Sequence, residues 1–92
     1  MKIITMIKIE GCPYCATAFK AIERLKSDEA YAAARIDVVD ENAQPERAAH
    51  FTDYYYVPTM YVEGKKIYEA HPGESPEECF ANVRKVFEVA NE

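Results

Sequence analysis

The stretch that decides the fold is Ile7-Lys8-Ile9-Glu10-Gly11-Cys12-Pro13-Tyr14-Cys15. It closes an apolar run over residues 2–9 whose isoleucines fall on both alternating faces, which predicts a central strand covered by helices on each side. Gly11 ends the strand, and from Cys12 to about Lys26 apolar residues recur at helical spacing. The two cysteines therefore lie where a strand gives way to an amphipathic helix.

The rest of the chain supplies three strands and two helices. Residues 35–39 form a second strand, which predicts a right-handed parallel βαβ unit, and Pro45 begins a short helix that fades around Thr52. Residues 59–63 and 66–70 alternate as two antiparallel strands across Gly64-Lys65. The order β-α-β-α-β-β-α, completed by a last helix, predicts an α/β fold in which helices flank a four-stranded mixed sheet.

The last helix has a clear beginning and a clear apolar face. Ser75-Pro76-Glu77-Glu78 carries a capping-box pattern with proline at the first helical position. The following apolar residues form one helical stripe that packs on the sheet: Cys79, Phe80, Val83, Val86, Phe87 and Ala90. The site should lie at the carboxyl end of the first strand, where open α/β sheets place their sites.

Length and charge restrict the class of protein. The 92 residues predict one domain, 1–92, and 49% of them are hydrophobic, which is enough for a modest core. Eleven Lys and Arg against sixteen Asp and Glu give a net charge of -5, which disfavours nucleic acid and anionic membranes. Because Lys8 and Glu10 interrupt or end the first apolar run, we expect neither a leader nor a membrane span, and a soluble, cytoplasmic monomer.

The cysteine pair points to thiol chemistry. A cysteine reacts as its thiolate, and the unpaired amides at a helix N-terminus stabilise that anion, so Cys12 is the candidate nucleophile. Cys15 follows one helical turn later and can attack a mixed disulfide on Cys12, which makes it the candidate resolving thiol. Two buried hydrophobic thiols, or half of a zinc site, are the alternative interpretations.

The remaining metal-ligand candidates do not form a second closely spaced pair. They are Cys79, His50 and His71, so we assign no metal site. Cys79 falls on or beside the apolar stripe of the last helix and is expected in the core, and neither histidine receives a role. Three tyrosines, residues 54–56, precede Val57-Pro58-Thr59, and one or two of their rings can pack on the core.

With Cys-Pro-Tyr-Cys after the first strand and Val57-Pro58-Thr59 opening the third, the sequence resembles a glutaredoxin of the thioredoxin superfamily over nearly its whole length. The resemblance implies the thioredoxin/glutaredoxin fold, a cis bond before Pro58, and a loop that faces the cysteines. It also implies a dithiol-disulfide oxidoreductase without a bound cofactor. Substrate or glutathione contacts are implied for Tyr14, Tyr56, Val57, Pro58 and Gly73.

Departures from the glutaredoxin pattern concern the electron donor. Ile9 stands where many glutaredoxins have a lysine that meets a glutathione carboxylate, with Lys8 one step earlier. Tyr56 replaces a threonine, and a single glycine, Gly73, remains of a Gly-Gly turn. The segment from Pro58 to Gly73 looks more like a thioredoxin, although Met6 stands where thioredoxins have a buried aspartate.

We therefore expect the chain to reduce protein disulfides or low-molecular-weight disulfides. Glutathione is the expected co-substrate, and a flavoprotein reductase of the thioredoxin type is the alternative donor. From other classes, an iron-sulfur or zinc carrier and a binding module with idle cysteines remain open.

Overall fold

A four-stranded mixed sheet forms the centre of the protein, whose computed structural model describes residues 1–92. The strands are β1 (Ile4–Lys8), β2 (Ile36–Asp40), β3 (Thr59–Val62) and β4 (Lys65–Glu69). The helices are α1 (Pro13–Lys26), α2 (Pro45–Ala48) and α3 (Pro76–Ala90), with a 3-10 turn at Glu29–Tyr31. The sheet order is β2-β1-β3-β4, so the observed elements confirm the predicted order and the mixed sheet.

Strand β1 is central and contributes to both faces of the sheet. It pairs in parallel with β2 and antiparallel with β3. Ile4 and Met6 enter a larger core, whereas Ile7 enters a smaller core on the opposite face, and all three are fully buried. This two-sided burial explains why the strand is almost continuously apolar.

The larger core joins α1 and α3 to one face of the sheet. Its helical members are Ala18, Ala21, Ile22 and Leu25 from α1, with Cys79, Val83, Val86, Phe87 and Ala90 from α3. The predicted stripes are thus confirmed except at their edges, where Phe19 and Phe80 are only partly buried. Phe80 lies beneath the guanidinium groups of Arg24 and Arg84, 4.2 and 5.2 Å from its ring centroid. Cations can cover an aromatic ring that the core leaves exposed.

The smaller core consists of Ile7, Val39, Ala48 and Tyr61, with Phe51, Tyr54 and Val57 packed against it. Helix α2 ends at Ala48, earlier than predicted, because Ala48 is its single buried residue and no apolar face continues beyond it. No helix of the protein combines the length and the apolar character that crossing a bilayer requires.

The turn of the β3–β4 hairpin lies one residue earlier than the predicted Gly64-Lys65 turn. The turn residues are Glu63 and Gly64, with φ of 49° and 82°, and Val62 pairs with Lys65. A two-residue turn of this kind needs positive φ at both positions, and glycine is most easily placed at the second. Gly64 therefore ends the turn instead of beginning it, and β4 starts at Lys65.

Strand β1 is shorter than predicted at both ends, and β2 lies one residue later in the chain than predicted. Strand β1 starts at Ile4 because the amide of Lys2 donates to the carbonyl of Ala90 in α3 instead of to a strand. It ends at Lys8, which pairs with Asp40, the last residue of β2. The chain then turns through Gly11, whose φ of 72° favours glycine, and enters α1.

Candidate functional site

Cys12 is the N-cap residue of α1 and uses its sulfur as the capping acceptor. The Cys15 amide donates to Cys12 Sγ over 3.1 Å. Pro13 occupies the first helical turn, where its missing N–H costs no hydrogen bond, and this turn contains no acidic residue. The sulfur thus lies against the positive end of the helix, as the sequence predicted, and Cys12 is partly exposed.

Cys15 is shielded from solvent one turn into the helix, with 2% of its surface exposed. Burial raises the pKa of the Cys15 thiol to about 12, and the neighbouring Cys12 sulfur acts in the same direction. The Ile9 amide and the charge of Lys8 oppose this shift. The two thiols of the motif are therefore unequal: one faces solvent, and the other stays protonated at neutral pH.

The loop before β3 faces Cys12. The Val57-Pro58 peptide bond is cis, which confirms the expectation from the glutaredoxin resemblance. Cys12 donates its S–H to the Val57 carbonyl, with 3.7 Å between sulfur and oxygen. The Val57 N–H makes no hydrogen bond within the protein, although the residue is half-buried. Buried amides are seldom left unpaired, so this donor is available to a bound partner.

A pocket of about 330 Å³ opens beside Cys12 and is lined by residues 8–13 together with Cys15, Ala16 and Phe19. Its single cation, Lys8, is already engaged. Lys8 Nζ lies 2.9 Å from Glu10 Oε1 and 3.4 Å from Asp40 Oδ2. The Glu10 hydrogen bond is the largest of the effects that raise the pKa of Lys8. Because Ile9 carries no charge, the pocket offers an anion no free cation.

Tyr14 ties the start of α1 to the turn before α3. The Gly73 amide donates to Tyr14 Oη over 2.8 Å, and the Tyr14 ring packs partly against the larger core. The structure therefore brings together Tyr14 and Gly73, two predicted contact residues separated by 59 positions. The Tyr14 hydroxyl is occupied as an acceptor, so its remaining capacity toward a ligand is as a donor.

Tyr56 lies in a loop that is held by a residue the sequence did not single out. Glu69 Oε2 accepts from the Tyr55 amide at 2.6 Å and the Tyr56 amide at 2.9 Å. Partial burial acts against ionised Glu69, but these amides and Lys66 outweigh it and lower the pKa of the carboxyl. Glu69 lies 13 and 14 residues beyond its partners, so no local motif could have revealed it.

The third cysteine lies outside this site. Cys79 is 1% exposed, and the Tyr68 hydroxyl lies 3.5 Å from its sulfur and 2.5 Å from Glu74 Oε1. Burial raises the pKa of Cys79. The predicted core position of this cysteine is thus confirmed.

The two histidines also lie apart from the motif. His71 Nε2 contacts Glu78, and His71, Glu74 and Glu78 bring possible ligand atoms within 4.8 Å of one another. Neither Cys12 nor Cys15 belongs to that group. His50 follows α2 and is exposed.

Comparison with known proteins identifies the fold. The chain is similar to the crystal structure of Trxlp from Edwardsiella tarda, with a TM-score of 0.62 and 16% identity over 91% of this chain and 80% of that chain. It is also similar to thioredoxin 1 from Thermosipho africanus, with a TM-score of 0.58 and 20% identity over 97% of this chain and 98% of that chain. No protein-family model matches the sequence, and no curated protein matches it. The protein thus has the thioredoxin fold, with a Cys-x-x-Cys pair at the start of its first helix.

Proposed function

We propose that the protein is a glutaredoxin-like thiol-disulfide oxidoreductase that reduces protein disulfides or small disulfides through Cys12 and Cys15. The observation that carries this proposal is the pairing of a partly exposed sulfur at a helix N-cap with a buried thiol one turn later. Two structural cysteines would both be buried, and neither would need to lie at a helix N-cap. A cytosolic setting, where thiols are kept reduced, suits this activity.

In the first step, the Cys12 thiolate attacks one sulfur of the substrate disulfide. A bond forms between Cys12 Sγ and that sulfur, the substrate S–S bond breaks, and the departing thiolate takes up a proton. The Cys15 amide, 3.1 Å from Cys12 Sγ, and the end of α1 stabilise the attacking anion. The Val57 carbonyl is placed to accept a hydrogen bond from the resting thiol and has no such role once the proton has left.

In the second step, Cys15 attacks Cys12 Sγ, releases the reduced substrate and leaves a Cys12–Cys15 disulfide. Two of the effects that raise the pKa of Cys15 come from Cys12, its hydrogen bond and its charge. Both diminish when Cys12 is part of a neutral mixed disulfide. The pKa of Cys15 should therefore fall when the intermediate forms, so that the resolving thiolate appears when it is needed.

The loop at Val57-Pro58 is proposed to hold the partner. The unpaired Val57 N–H supports this role, since an extended peptide or glutathione could accept it as a neighbouring strand would. Tyr14, Tyr56, Pro58 and Gly73 complete the proposed contacts around Cys12. Of these, the Tyr56 side chain is the most accessible, with 51% of the residue exposed.

Glutathione is the proposed electron donor. Two glutathione thiols supply the two electrons that reopen the Cys12–Cys15 disulfide, and they leave as glutathione disulfide. The engaged Lys8 and uncharged Ile9 argue for weak recognition of its carboxylates. A flavoprotein reductase of the thioredoxin type is the alternative donor, and assays with each reducing system in parallel distinguish them.

The variant Cys15→Ser tests the division of roles. It should stop reduction of protein disulfides, which needs the resolving thiol, and retain removal of glutathione from mixed disulfides, which needs Cys12 alone. Enzyme-coupled assays with both substrate types measure this, with Cys79→Ser as the matched control. Equal losses with both substrates, or faster alkylation of Cys15 than of Cys12 at neutral pH, would contradict the assignment.

The variant Ile9→Lys tests the account of the donor. A charge-assisted contact with a carboxylate is worth about 1.5–3 kcal/mol, so a free lysine at the pocket should raise glutathione-dependent activity roughly tenfold or more. The gain should appear as a lower KM for glutathione in the assay coupled to glutathione reductase. Unchanged kinetics, with a wild-type activity equal to that of an ordinary glutaredoxin, would refute weak recognition at this position.

A further inference from the structure

Two tyrosine side chains stand exposed in the loop that leads to Val57 and Cys12. Tyr55 is 94% exposed and Tyr56 is 51% exposed, whereas Tyr54 packs against the smaller core and donates its hydroxyl to Glu41. Tyr55 lies two residues before Val57, whose carbonyl contacts Cys12. Since extended chain spans about 3.3–3.6 Å per residue, the Tyr55 backbone lies within about 7 Å of Val57.

These tyrosines belong to a loop that the fold holds in place. Their two amides are capped by Glu69 Oε2, and Lys66 Nζ binds Glu69 Oε1 at 2.9 Å and the Asp53 carbonyl at 2.6 Å. Tyr55 is therefore exposed although hydrogen bonds hold its loop in place. A preorganised aromatic side chain contributes contact area at a small cost in conformational entropy.

The pocket next to Cys12 carries an exposed carboxylate. The Glu10 side chain is 87% exposed, lies two residues before Cys12 and lines the same pocket. Lys8 is shared between Glu10 and Asp40, so the group of three charges has a net charge of -1. Anionic partners are disfavoured at such a site, and cationic partners are favoured.

Both features select the same chemistry, because a carboxylate pairs with a cation and a tyrosine ring binds one over its face. We infer that the preferred substrate is a disulfide in a basic peptide segment, with an Arg or Lys beside the cysteine that meets Glu10 or Tyr55. This inference rests on the proposed oxidoreductase function and names its substrate class. It also predicts that anionic disulfides, glutathione disulfide among them, are poor substrates.

Three peptides that differ only in the residue beside their single cysteine, Arg, Ala or Glu, provide the test. Each carries its cysteine as a 2-thiopyridyl disulfide, and the Cys15→Ser variant retains the adduct. A bond forms between Cys12 Sγ and the peptide sulfur, the bond to the pyridyl sulfur breaks, and 2-thiopyridone leaves with the proton. Its absorbance in stopped flow gives the rate, which is divided by the rate with 2-mercaptoethanol for each peptide.

We expect the Arg peptide to react roughly tenfold faster than the Glu peptide in low salt, with the Ala peptide between them. Glu10→Gln should reduce the Arg-to-Ala ratio about threefold, as loss of one charge about 6 Å away in water would. Tyr55→Ala should slow the Arg peptide alone. Glu63→Gln is the matched control, because this exposed glutamate lies in the β3–β4 turn at the opposite end of the sheet.

The outcomes separate this inference from the proposed function. Equal normalised rates for the three peptides, or an effect of Glu63→Gln as large as that of Glu10→Gln, would overturn the basic-peptide preference while the thiol chemistry stands. A faster reaction with the Arg peptide, which Glu10→Gln weakens and Glu63→Gln leaves unchanged, supports the basic-peptide preference. If wild-type protein with a reducing system turned over none of the three peptides, the proposed oxidoreductase function itself would be refuted, whatever the order of the three rates.

Discussion

Helices α1 and α3 begin with the same geometry but with different atoms. In each, a proline occupies the first turn, and the N-cap side chain accepts the amide three residues later, Cys15 to Cys12 and Glu78 to Ser75, both over 3.1 Å. The acceptor is sulfur in α1 and a hydroxyl in α3. A cap that ionises becomes a nucleophile, whereas a hydroxyl cap stabilises the helix and does nothing more.

The first turns of the two helices also differ in their acidic residues. The first turn of α1 has no acidic residue, so a thiolate on Cys12 would meet no carboxylate within that turn. The first turn of α3 contains Glu77 and Glu78, which already complement the positive end of the helix. These two carboxylates would repel a thiolate placed at position 75. The reactive helix end is therefore the one whose first turn contains no carboxylate.

The largest effect should come from Cys12→Ser, which gives α1 the cap of α3. Serine is a good N-cap residue, so the free energy of unfolding should stay within about 1 kcal/mol of the wild type. Disulfide reduction should fall below detection, by at least about 1000-fold, since a serine hydroxyl is not ionised at neutral pH. Urea unfolding and a disulfide-reduction assay on the same preparation measure the two quantities.

The double variant Cys12→Ser, Ser75→Cys is the matched control. It moves the thiol to the other helix cap, where Glu77 and Glu78 disfavour the thiolate. We expect no recovered activity. Substantial reduction by this variant would mean that a capping thiol is sufficient and that the Val57 loop contributes little.

A smaller effect is expected from Ser75→Ala, which removes the cap of α3. Loss of an N-cap side chain costs about 1 kcal/mol, so the midpoint of urea unfolding should move down at unchanged slope. Activity per folded molecule should be unaffected, because Ser75 does not contact the Cys12 sulfur. A loss of activity without a loss of stability would show that the two helix ends are coupled, with the Tyr14–Gly73 hydrogen bond as the route.

Both caps could be predicted from the sequence because capping depends on residues that are neighbours in the chain. Cys12-Pro13-Tyr14-Cys15 and Ser75-Pro76-Glu77-Glu78 both predict a helix start from four neighbouring residues, and both predictions are confirmed. The second half of the α3 capping box is absent, however. Glu78 does not return to the Ser75 amide but contacts His71, a residue before the turn that competes for the same carboxylate.

Contacts between distant segments could not be predicted in this way. Tyr14 meets Gly73, and Glu69 caps the Tyr55 and Tyr56 amides, only because the sheet order brings their strands and loops together. The sequence alone could not show whether Lys8 is free to meet a ligand. It is engaged because β1 and β2 end side by side at Lys8 and Asp40.

The smallest effect should come from His71→Gln, and it sharpens the comparison because α1 has no equivalent ion pair. The hydrogen bond to Glu78, followed by that to the Pro72 carbonyl, raises the pKa of His71. The protonated form is thus favoured in the folded state. Its contribution to stability is complete below the unfolded pKa of about 6.5 and disappears as the pH rises through the higher folded value.

Wild-type protein should therefore exceed His71→Gln in thermal stability at pH 5, and the difference should shrink by pH 8.5. Glutamine keeps the polar contact but not the charge, and it leaves Glu78 in place to favour the helix end. His50→Gln is the control, since His50 has no carboxylate hydrogen bond. Because the pair is exposed, added salt should reduce the difference at pH 5. A difference in Tm that is the same at both pH values would show that His71 acts by packing and that the α3 end owes nothing to its charge.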